Sequence, residues 1–266
     1  MNDNARPYAL DSEAEPLRLE CQAKLAGIES HLAYIPLTTG TKVLDAGCGS
    51  GSMTRVLAKN VPQGKATGVD IRQDYLNFAK RAAEQEGIRN LRFQHGDIFD
   101  LPFADATFDV VWSKYVLQWV NHPERAVAEF KRVTKPGGFV VCCNADNLLV
   151  SNHPPEEPLQ ADIEAALRPL FDPDVGRKMF LMYHEAGFAD IEVKIETDRL
   201  FSIFGRIDAE RRSNIAKAYE ALLPYMAEQF GSPAKGEALV ERHLAYLDRE
   251  DTISPCLLYF VRGRVP

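Results

Sequence analysis

A short run near the start of the chain constrains the fold more than any other feature. Its sequence is Val43-Leu44-Asp45-Ala46-Gly47-Cys48-Gly49-Ser50-Gly51. The leading apolar pair predicts a buried strand, the glycines predict a sharp turn, and apolar residues spaced by three and four from Met53 predict a helix. Strand, glycine loop and helix in this order are typical of the ligand-binding unit of a doubly wound α/β sheet.

Strand and helix patterns alternate from Lys42 onward. Strands are predicted at 42–46, 65–70, 91–95, 107–112, 137–146, 189–200 and 253–263, and helices at 52–60, 73–87 and 122–134. This alternation predicts a largely parallel sheet with helices on both faces. Ligands of such sheets bind outside the carboxyl ends of the strands, so residues at those ends are the first candidates for a site.

The chemistry of the glycine loop favours a cationic ligand over a dinucleotide. Its third glycine comes early, as G-x-G-x-G, and Asp45 ends the strand where a carboxylate would repel a pyrophosphate. S-adenosylmethionine carries a sulfonium and an ammonium and no phosphate. With its acid in register, the nine-residue run resembles motif I of the class I S-adenosylmethionine-dependent methyltransferases.

The resemblance implies a Rossmann-like α/β fold with a seven-stranded, mostly parallel sheet, its last strand antiparallel, and S-adenosylmethionine as cofactor. The residues expected to contact the cofactor are Asp45, Ala46, Gly47, Gly49, Asp70, Ile71, Asp97, Ile98, Ser113, Arg18 and Gln22. Asp70 ends the second strand near the spacing at which ribose-binding acids occur. Asp97 would bond the adenine amine between Ile71 and Ile98, or would instead cap the turn that follows it.

The N-terminal region is expected to form a helix over the cofactor. A capping-box pattern at 12–15 precedes apolar residues that recur at three- and four-residue steps over 17–32, which predicts one continuous helix with an apolar stripe. In the family, such a helix covers the methionine end of the cofactor. Tyr8, Arg18 and Gln22 are therefore candidates to touch that end, with a solvated helix face as the equal alternative.

No catalytic motif stands out, because methyl transfer from a sulfonium depends mainly on positioning and needs a base only if the nucleophile must lose a proton. The candidate bases are Tyr8, His122, Asp146, His153 and Glu185. His153 lies in the loop after the fifth strand, with a solvated loop histidine as the alternative, and His122 is more often a surface residue at such a helix start. The backbone at Ser113 is expected to border the methyl group, and Trp119 is predicted to lie in the core. No spacing of ligands predicts a metal site.

Helical additions elaborate the predicted core. The expected division is an N-terminal helical cap (1–36), a methyltransferase core (37–202), a helical lid inserted before the last strand (203–251) and that strand (252–266). Two helices are predicted within the lid from the apolar spacing over 215–230 and 238–247. A lid over the strand ends would determine which acceptor enters.

Composition and charge limit the partners and functions that the sequence predicts. The 266 residues carry a net charge of −7, which argues against a nucleic-acid or anionic-membrane partner, and no long apolar run or signal peptide is seen, so a cytoplasmic location is expected. The chain is identified as an enzyme that methylates a small molecule, such as a secondary metabolite, a quinone or a lipid-like ring. A protein or RNA acceptor and a non-catalytic cofactor-binding protein are the alternatives. The methylated atom and the oligomeric state, a homodimer included, stay open.

Overall fold

A seven-stranded sheet organises the chain. The computed structural model describes residues 9–10 and 12–266. The sheet has the order β3-β2-β1-β4-β5-β9-β6, and β9 runs antiparallel to both of its neighbours. Its strands are β1 (Lys42–Ala46), β2 (Lys65–Asp70), β3 (Leu91–His95), β4 (Phe108–Lys114), β5 (Thr134–Asp146), β6 (Ala189–Thr197) and β9 (Leu257–Arg264), with β7 (Ile203–Phe204) and β8 (Ile253–Ser254) paired apart from it.

Helices cover both faces of the sheet and extend beyond its carboxyl edge. They are α1 (Glu15–Ala26), α2 (Ser52–Asn60), α3 (Gln73–Gln85), α4 (Pro123–Val133), α5 (Glu157–Leu167), α6 (Val175–Glu185), α7 (Ala209–Phe230) and α8 (Pro233–Leu247), with 3₁₀ helices at Ile28–Tyr34 and Leu117–Trp119. The predicted α/β class, the parallel order of the first five strands and the two helices before the last strand are confirmed. None of the helices described is long and apolar enough to cross a bilayer.

Two apolar cores lie on opposite faces of the sheet. Because successive side chains of a strand point to opposite faces, Cys142 and Cys143 of β5 enter different cores. Cys142 packs with residues of α4 and α6, whereas Cys143 packs with Trp112 of β4 and with α2. Both cysteines are fully buried, so they act as apolar packing residues.

A third core holds the inserted helices beside the strand ends. It joins Ile163 of α5, Ile215 of α7 and Leu247 of α8 to Leu148 and Leu149, which directly follow β5. Because these last two residues continue from the carboxyl end of β5, the core fixes α7 next to the edge of the sheet where ligands of doubly wound folds bind.

The first helix differs from its prediction. It begins at Glu15 with Ala14 as N-cap and no side-chain cap, and it ends at Gly27, whose φ of 62° is left-handed. The predicted apolar stripe is wrong, since Leu17 is 62% exposed and Cys21 is also exposed. The buried face instead carries the ion pair of Arg18 and Glu15, which α7 covers through Asn214.

The predicted last strand is also interrupted. Pro255 separates β8, which pairs with β7, from β9, which lies between β5 and β6. Proline has no N–H to donate to a ladder, so the strand leaves one sheet and enters the other at this residue.

Candidate active site

A cavity of about 300 Å³ opens at the carboxyl ends of the parallel strands. The glycine loop and the ends of β2 and β3 line one half of it. The other half is lined by the segment after β4, the residues after β5, Phe171, Phe201 and α7. The cavity therefore continues from the glycine loop to the inserted helices, as expected for ligands of such a sheet.

The glycine loop is shaped by tight contacts on both sides. The N–H groups of Gly47 and Cys48 both donate to the carbonyl oxygen of Val69, at 2.8 and 2.9 Å. Gly47 has a φ of 76°, and a Cβ atom there would lie 2.3 Å from Cγ2 of Val116. A side chain at this position is excluded both by the backbone conformation and by the segment after β4.

Asp45 lies at the base of the cavity and is 3% exposed. Its Oδ2 accepts a hydrogen bond of 2.6 Å from Oγ1 of Thr54. Burial raises the pKa of Asp45 to about 7; the hydrogen bond from Thr54 opposes this effect and the neighbouring charge of Asp70 contributes to it. Ionising this carboxyl without a cationic partner is therefore costly.

Asp70 lines the same half of the cavity at the end of β2. Its two carboxylate oxygens accept the N–H groups of Gly49 (2.8 Å) and Arg72 (2.9 Å), so the acid fixes the glycine loop against the second strand. Burial raises the pKa of Asp70, and these two hydrogen bonds oppose the effect. A carboxylate oxygen has further acceptor capacity beyond one hydrogen bond, so Asp70 can still accept from a ligand.

Asp97, Ile71 and Ile98 line the cavity beyond Asp70. Asp97 also caps the turn after β3, because its Oδ1 accepts the N–H of Phe99 at 2.9 Å. The capping alternative is thus realised in a residue that still faces the cavity. Ile71 is 55% exposed, which is unusual for a large apolar side chain beside a polar loop.

The N-terminal helix contributes Arg18 and Gln22 to the lining, which removes the alternative of a solvated helix face for these two. The Arg18 guanidinium pairs with Glu15 at 2.7 Å and donates to Oε1 of Gln22, also at 2.7 Å. The two candidates therefore position one another. Tyr8 lies outside the described residues.

Several predicted site residues do not face the cavity. Ser113 and Ala46 are fully buried beneath it, where the Ser113 hydroxyl donates to the Ala46 carbonyl at 2.9 Å. His153 is exposed and away from the lining, and its backbone pairs with Ile253. Asp146 accepts the side chain of Arg177 in an ion pair, which removes it as a candidate base.

Sequence reasoning missed the half of the cavity formed after β4. Lys114, Tyr115 and Gln118 line it, and so does Trp119, which was predicted to be core. β4 continues through Lys114, two residues beyond its predicted end. A charged residue that ends an apolar strand was the one signal available in the sequence.

Tyr115 and Gln118 present different polar atoms. Tyr115 has a φ of 57°, and its hydroxyl donates to the carboxylate of Asp198. Burial raises the pKa of Tyr115 well above its ordinary value, so its phenol is unsuited to act as a base. Gln118 is 3% exposed, and its Oε1 has no hydrogen-bond partner among the described residues.

The acidic and amide oxygens of the cavity fit a cationic nucleoside ligand. Three acids end neighbouring strands, and the pKa values of Asp45 and Asp70 are raised because burial leaves their charges poorly compensated. Carboxylates accept hydrogen bonds from hydroxyl and amino groups and attract a sulfonium or an ammonium. The buried Oε1 of Gln118 could accept from a further donor on a ligand.

Comparisons with known proteins agree with this geometry. The sequence profile of a family described as a methyltransferase domain matches residues 44–142. An uncharacterised methyltransferase of Schizosaccharomyces pombe is 41% identical over 131 residues, which cover 47% of this chain and 46% of that protein. A demethylmenaquinone methyltransferase of Staphylococcus aureus is 41% identical over 104 residues, covering 39% and 42%. The chain thus spans less than half the length of these curated relatives.

Solved structures extend the likeness of the fold to nearly the whole chain. Phosphoethanolamine N-methyltransferase 2 of Haemonchus contortus, in complex with S-adenosyl-L-methionine, superposes with a TM-score of 0.64 at 19% identity. The superposition covers 98% of this chain and 60% of that one. Residues 44–142 therefore form a methyltransferase domain, within a fold of the class I S-adenosylmethionine-dependent methyltransferases.

Proposed function

We propose that the protein transfers a methyl group from S-adenosylmethionine to a small, largely apolar acceptor. The observation that carries this proposal is the single cavity that runs from the acid-rich glycine loop to the apolar side chains of α7 and the loops beside it. A cofactor with its methyl group directed along the cavity and an acceptor under α7 would then share one enclosed space.

The proposed cofactor contacts follow the acids at the strand ends. Asp70 would accept the ribose hydroxyls, Asp97 the adenine amine, and Ile71 and Ile98 would pack against the ring. Arg18 and Gln22 would lie at the methionine end. When bound, the cofactor supplies an electrophilic methyl group on a sulfonium, which is already a good leaving group.

The chain's own residues would act by binding, orienting and excluding water. α7 places Ala218 and Leu222 over the cavity, and Phe171 and Phe201 add apolar walls. Water exclusion strengthens the attraction between a sulfonium and an electron-rich nucleophile. No histidine belongs to the described lining, and the phenol of Tyr115 is committed to Asp198. We therefore propose catalysis by positioning, on an acceptor that reacts without an enzyme base.

The name of one relative supports a ring-shaped acceptor. The Staphylococcus aureus protein is a demethylmenaquinone methyltransferase, and the aligned region reaches about two fifths of each chain. Aromatic lining by Trp119, Phe171 and Phe201 suits a flat apolar ring. We propose a quinone-like or lipid-like ring as the acceptor class, and a division of the chain in which 203–251 acts as the lid.

Labelled transfer tests this function. Purified protein is incubated with methyl-labelled S-adenosylmethionine and an extract of source cells, and small molecules are separated from macromolecules. Label in the small-molecule fraction is expected and yields a mass for the acceptor. Label in protein or RNA would refute the acceptor class, and cofactor binding without any transfer would favour a non-catalytic protein.

The site assignment is tested by titration calorimetry with S-adenosylhomocysteine. Asp70→Asn should weaken binding about tenfold or more, because a buried acceptor of hydrogen bonds is lost. The matched control is Asp251→Asn, which changes an exposed acid that pairs with Arg249, neither residue belonging to the cavity lining. Equal affinity in the two variants would contradict the placement of the cofactor.

A further inference from the structure

The cavity carries opposite charges at its two ends. Asp45, Asp70 and Asp97 lie at the ends of β1, β2 and β3, whereas Lys114 lies at the end of β4, on the side of the acceptor. The proposed cofactor accounts for the acids through its ribose hydroxyls, adenine amine, sulfonium and ammonium. Its one anionic group, the methionine carboxylate, would lie beside Arg18 at the methionine end, so the lysine has another reason to face the cavity.

Lys114 differs from the other cations of the lining. The described lining contains three, Arg18, Arg72 and Lys114. Arg18 pairs with Glu15 at 2.7 Å, and Arg72 pairs with Asp74 at 3.1 Å. Within the described part of the chain, no carboxylate lies within ion-pair distance of the Lys114 ammonium.

The acid whose charge acts on Lys114, Asp198, already has other partners. One carboxylate oxygen of Asp198 accepts the N–H groups of Leu200 and Phe201, both at 2.7 Å, and the other accepts the hydroxyl of Tyr115. Asp198 therefore fixes its own turn and the Tyr115 ring, and it acts on Lys114 only through its charge.

Two features favour the charged form of Lys114 although burial lowers its pKa. The charge of Asp198 opposes the effect of burial, and Nζ lies 4.8 Å from the centroid of the Tyr115 ring, within the range of a cation–π contact. A buried charge without a direct partner is expensive to maintain. An anionic group on a ligand would provide that partner.

The surroundings of Lys114 define the rest of the ligand. The acceptor side of the cavity is lined mainly by apolar side chains, among them Leu148, Leu149, Phe171, Phe201 and Leu222. We propose that Lys114 selects a methyl acceptor that combines an oxyanion, carboxylate or phenolate, with an apolar body. The inference rests on the proposed function and assigns its acceptor class, with Lys114 as the residue that determines specificity.

Matched probe pairs test this assignment by calorimetry in the presence of S-adenosylhomocysteine. Naphthoate is compared with neutral naphthamide, and para-nitrophenolate with neutral para-nitroanisole. In the native protein at least one anion is expected to bind about tenfold or more tightly than its neutral partner, the effect of a charge-assisted contact. The pair that shows the preference distinguishes a carboxylate from a phenolate acceptor.

Three variants assign the preference to the lysine. Lys114→Met should abolish it, and Lys114→Arg should retain most of it. Lys80→Met, which removes an exposed lysine of α3, should leave it unchanged. Because Lys114 is half-buried and has no ion-pair partner among the described residues, Lys114→Met is expected to fold with a melting temperature that is unchanged or higher.

The outcomes separate the two proposals. Failure of S-adenosylhomocysteine to bind the native protein would refute the proposed function itself. With that ligand bound, equal affinities within both probe pairs, no binding of any probe, or a preference that survives in Lys114→Met would each overturn the role of Lys114 alone.

Discussion

Asp45→Asn should change how the stability of the ligand-free protein depends on pH. The carboxyl of Asp45 is 3% exposed, and its burial raises the pKa from 3.8 to about 7. Asparagine has nearly the same shape and can still accept the hydrogen bond from Thr54. The substitution therefore removes the ionisation and leaves the packing.

The sign follows from the raised pKa of the folded state. Below about pH 4 the carboxyl is protonated in both the folded and the unfolded chain, and the native protein has its full stability. Between about pH 4 and pH 7 the folded chain still holds the proton, whereas the unfolded chain has lost it. Above about pH 7 the folded chain loses the proton as well and must bear a buried charge. One pKa unit corresponds to about 1.4 kcal/mol, so the native protein loses up to about 4 kcal/mol relative to Asp45→Asn across this range.

Urea unfolding at about pH 5 and about pH 8 measures the effect as a difference between the two proteins. At pH 5 the native protein has already lost about 1.5 kcal/mol relative to the variant, and the difference should grow by about a further 2.5 kcal/mol at pH 8. Asp74→Asn is the control without a change between these two pH values, because its hydrogen bond with Arg72 lowers the pKa of Asp74 and the small stability it adds is lost only as the pH falls below about 4. A pH-independent difference for Asp45→Asn would refute the view that the acid lacks compensation.

Three further substitutions test other parts of the reasoning. Arg18→Met should lower the free energy of unfolding by about 3 to 5 kcal/mol in denaturant titrations, because it removes the guanidinium that pairs with the buried carboxylate of Glu15. Tyr115→Phe should lower the free energy of unfolding by about 1 to 3 kcal/mol, since an oxygen of Asp198 loses its hydrogen-bond donor. A lower rate of methyl transfer together with a shifted pH profile would show instead that the phenol acts as a base. His153→Gln should leave the transfer rate of labelled methyl unchanged, because the side chain is exposed outside the cavity lining, and a large loss would restore the histidine as a catalytic candidate.

The sequence predicted the sheet best where local signals and the fold agree. β1, β2, β3 and α2 have the predicted bounds, because short apolar runs there are separated by glycines and polar turns. The break at Pro255 was missed, since one strand was predicted over 253–263, although a proline rarely continues a ladder. The end of the first helix at Gly27 could have been read from the glycine, but its buried face could not, because that face is set by Asn214, far along the chain.

The prediction that His153 faces the cavity failed because His153 lies too far along the loop after β5. The loop after β5 does reach the cavity, through Leu148 and Leu149. His153 lies four residues beyond Leu149, where the backbone pairs with Ile253 and the chain has already turned toward β8. Pattern alone cannot show where along a loop the chain leaves a site.

The cofactor side of the cavity could be predicted from the sequence, whereas the acceptor side largely could not, and the difference has a physical reason. The cofactor side needs backbone turns that only glycine adopts easily and acids in register with strand ends, and both leave a marked pattern. The acceptor side consists largely of apolar residues such as Leu148, Phe171 and Leu222, whose side chains cannot be told from core residues until the fold brings them together. Lys114 is the exception, because a charge that ends an apolar strand has no place in a core. The residue that most restricts the acceptor is therefore also the one whose position in the sequence already required an explanation.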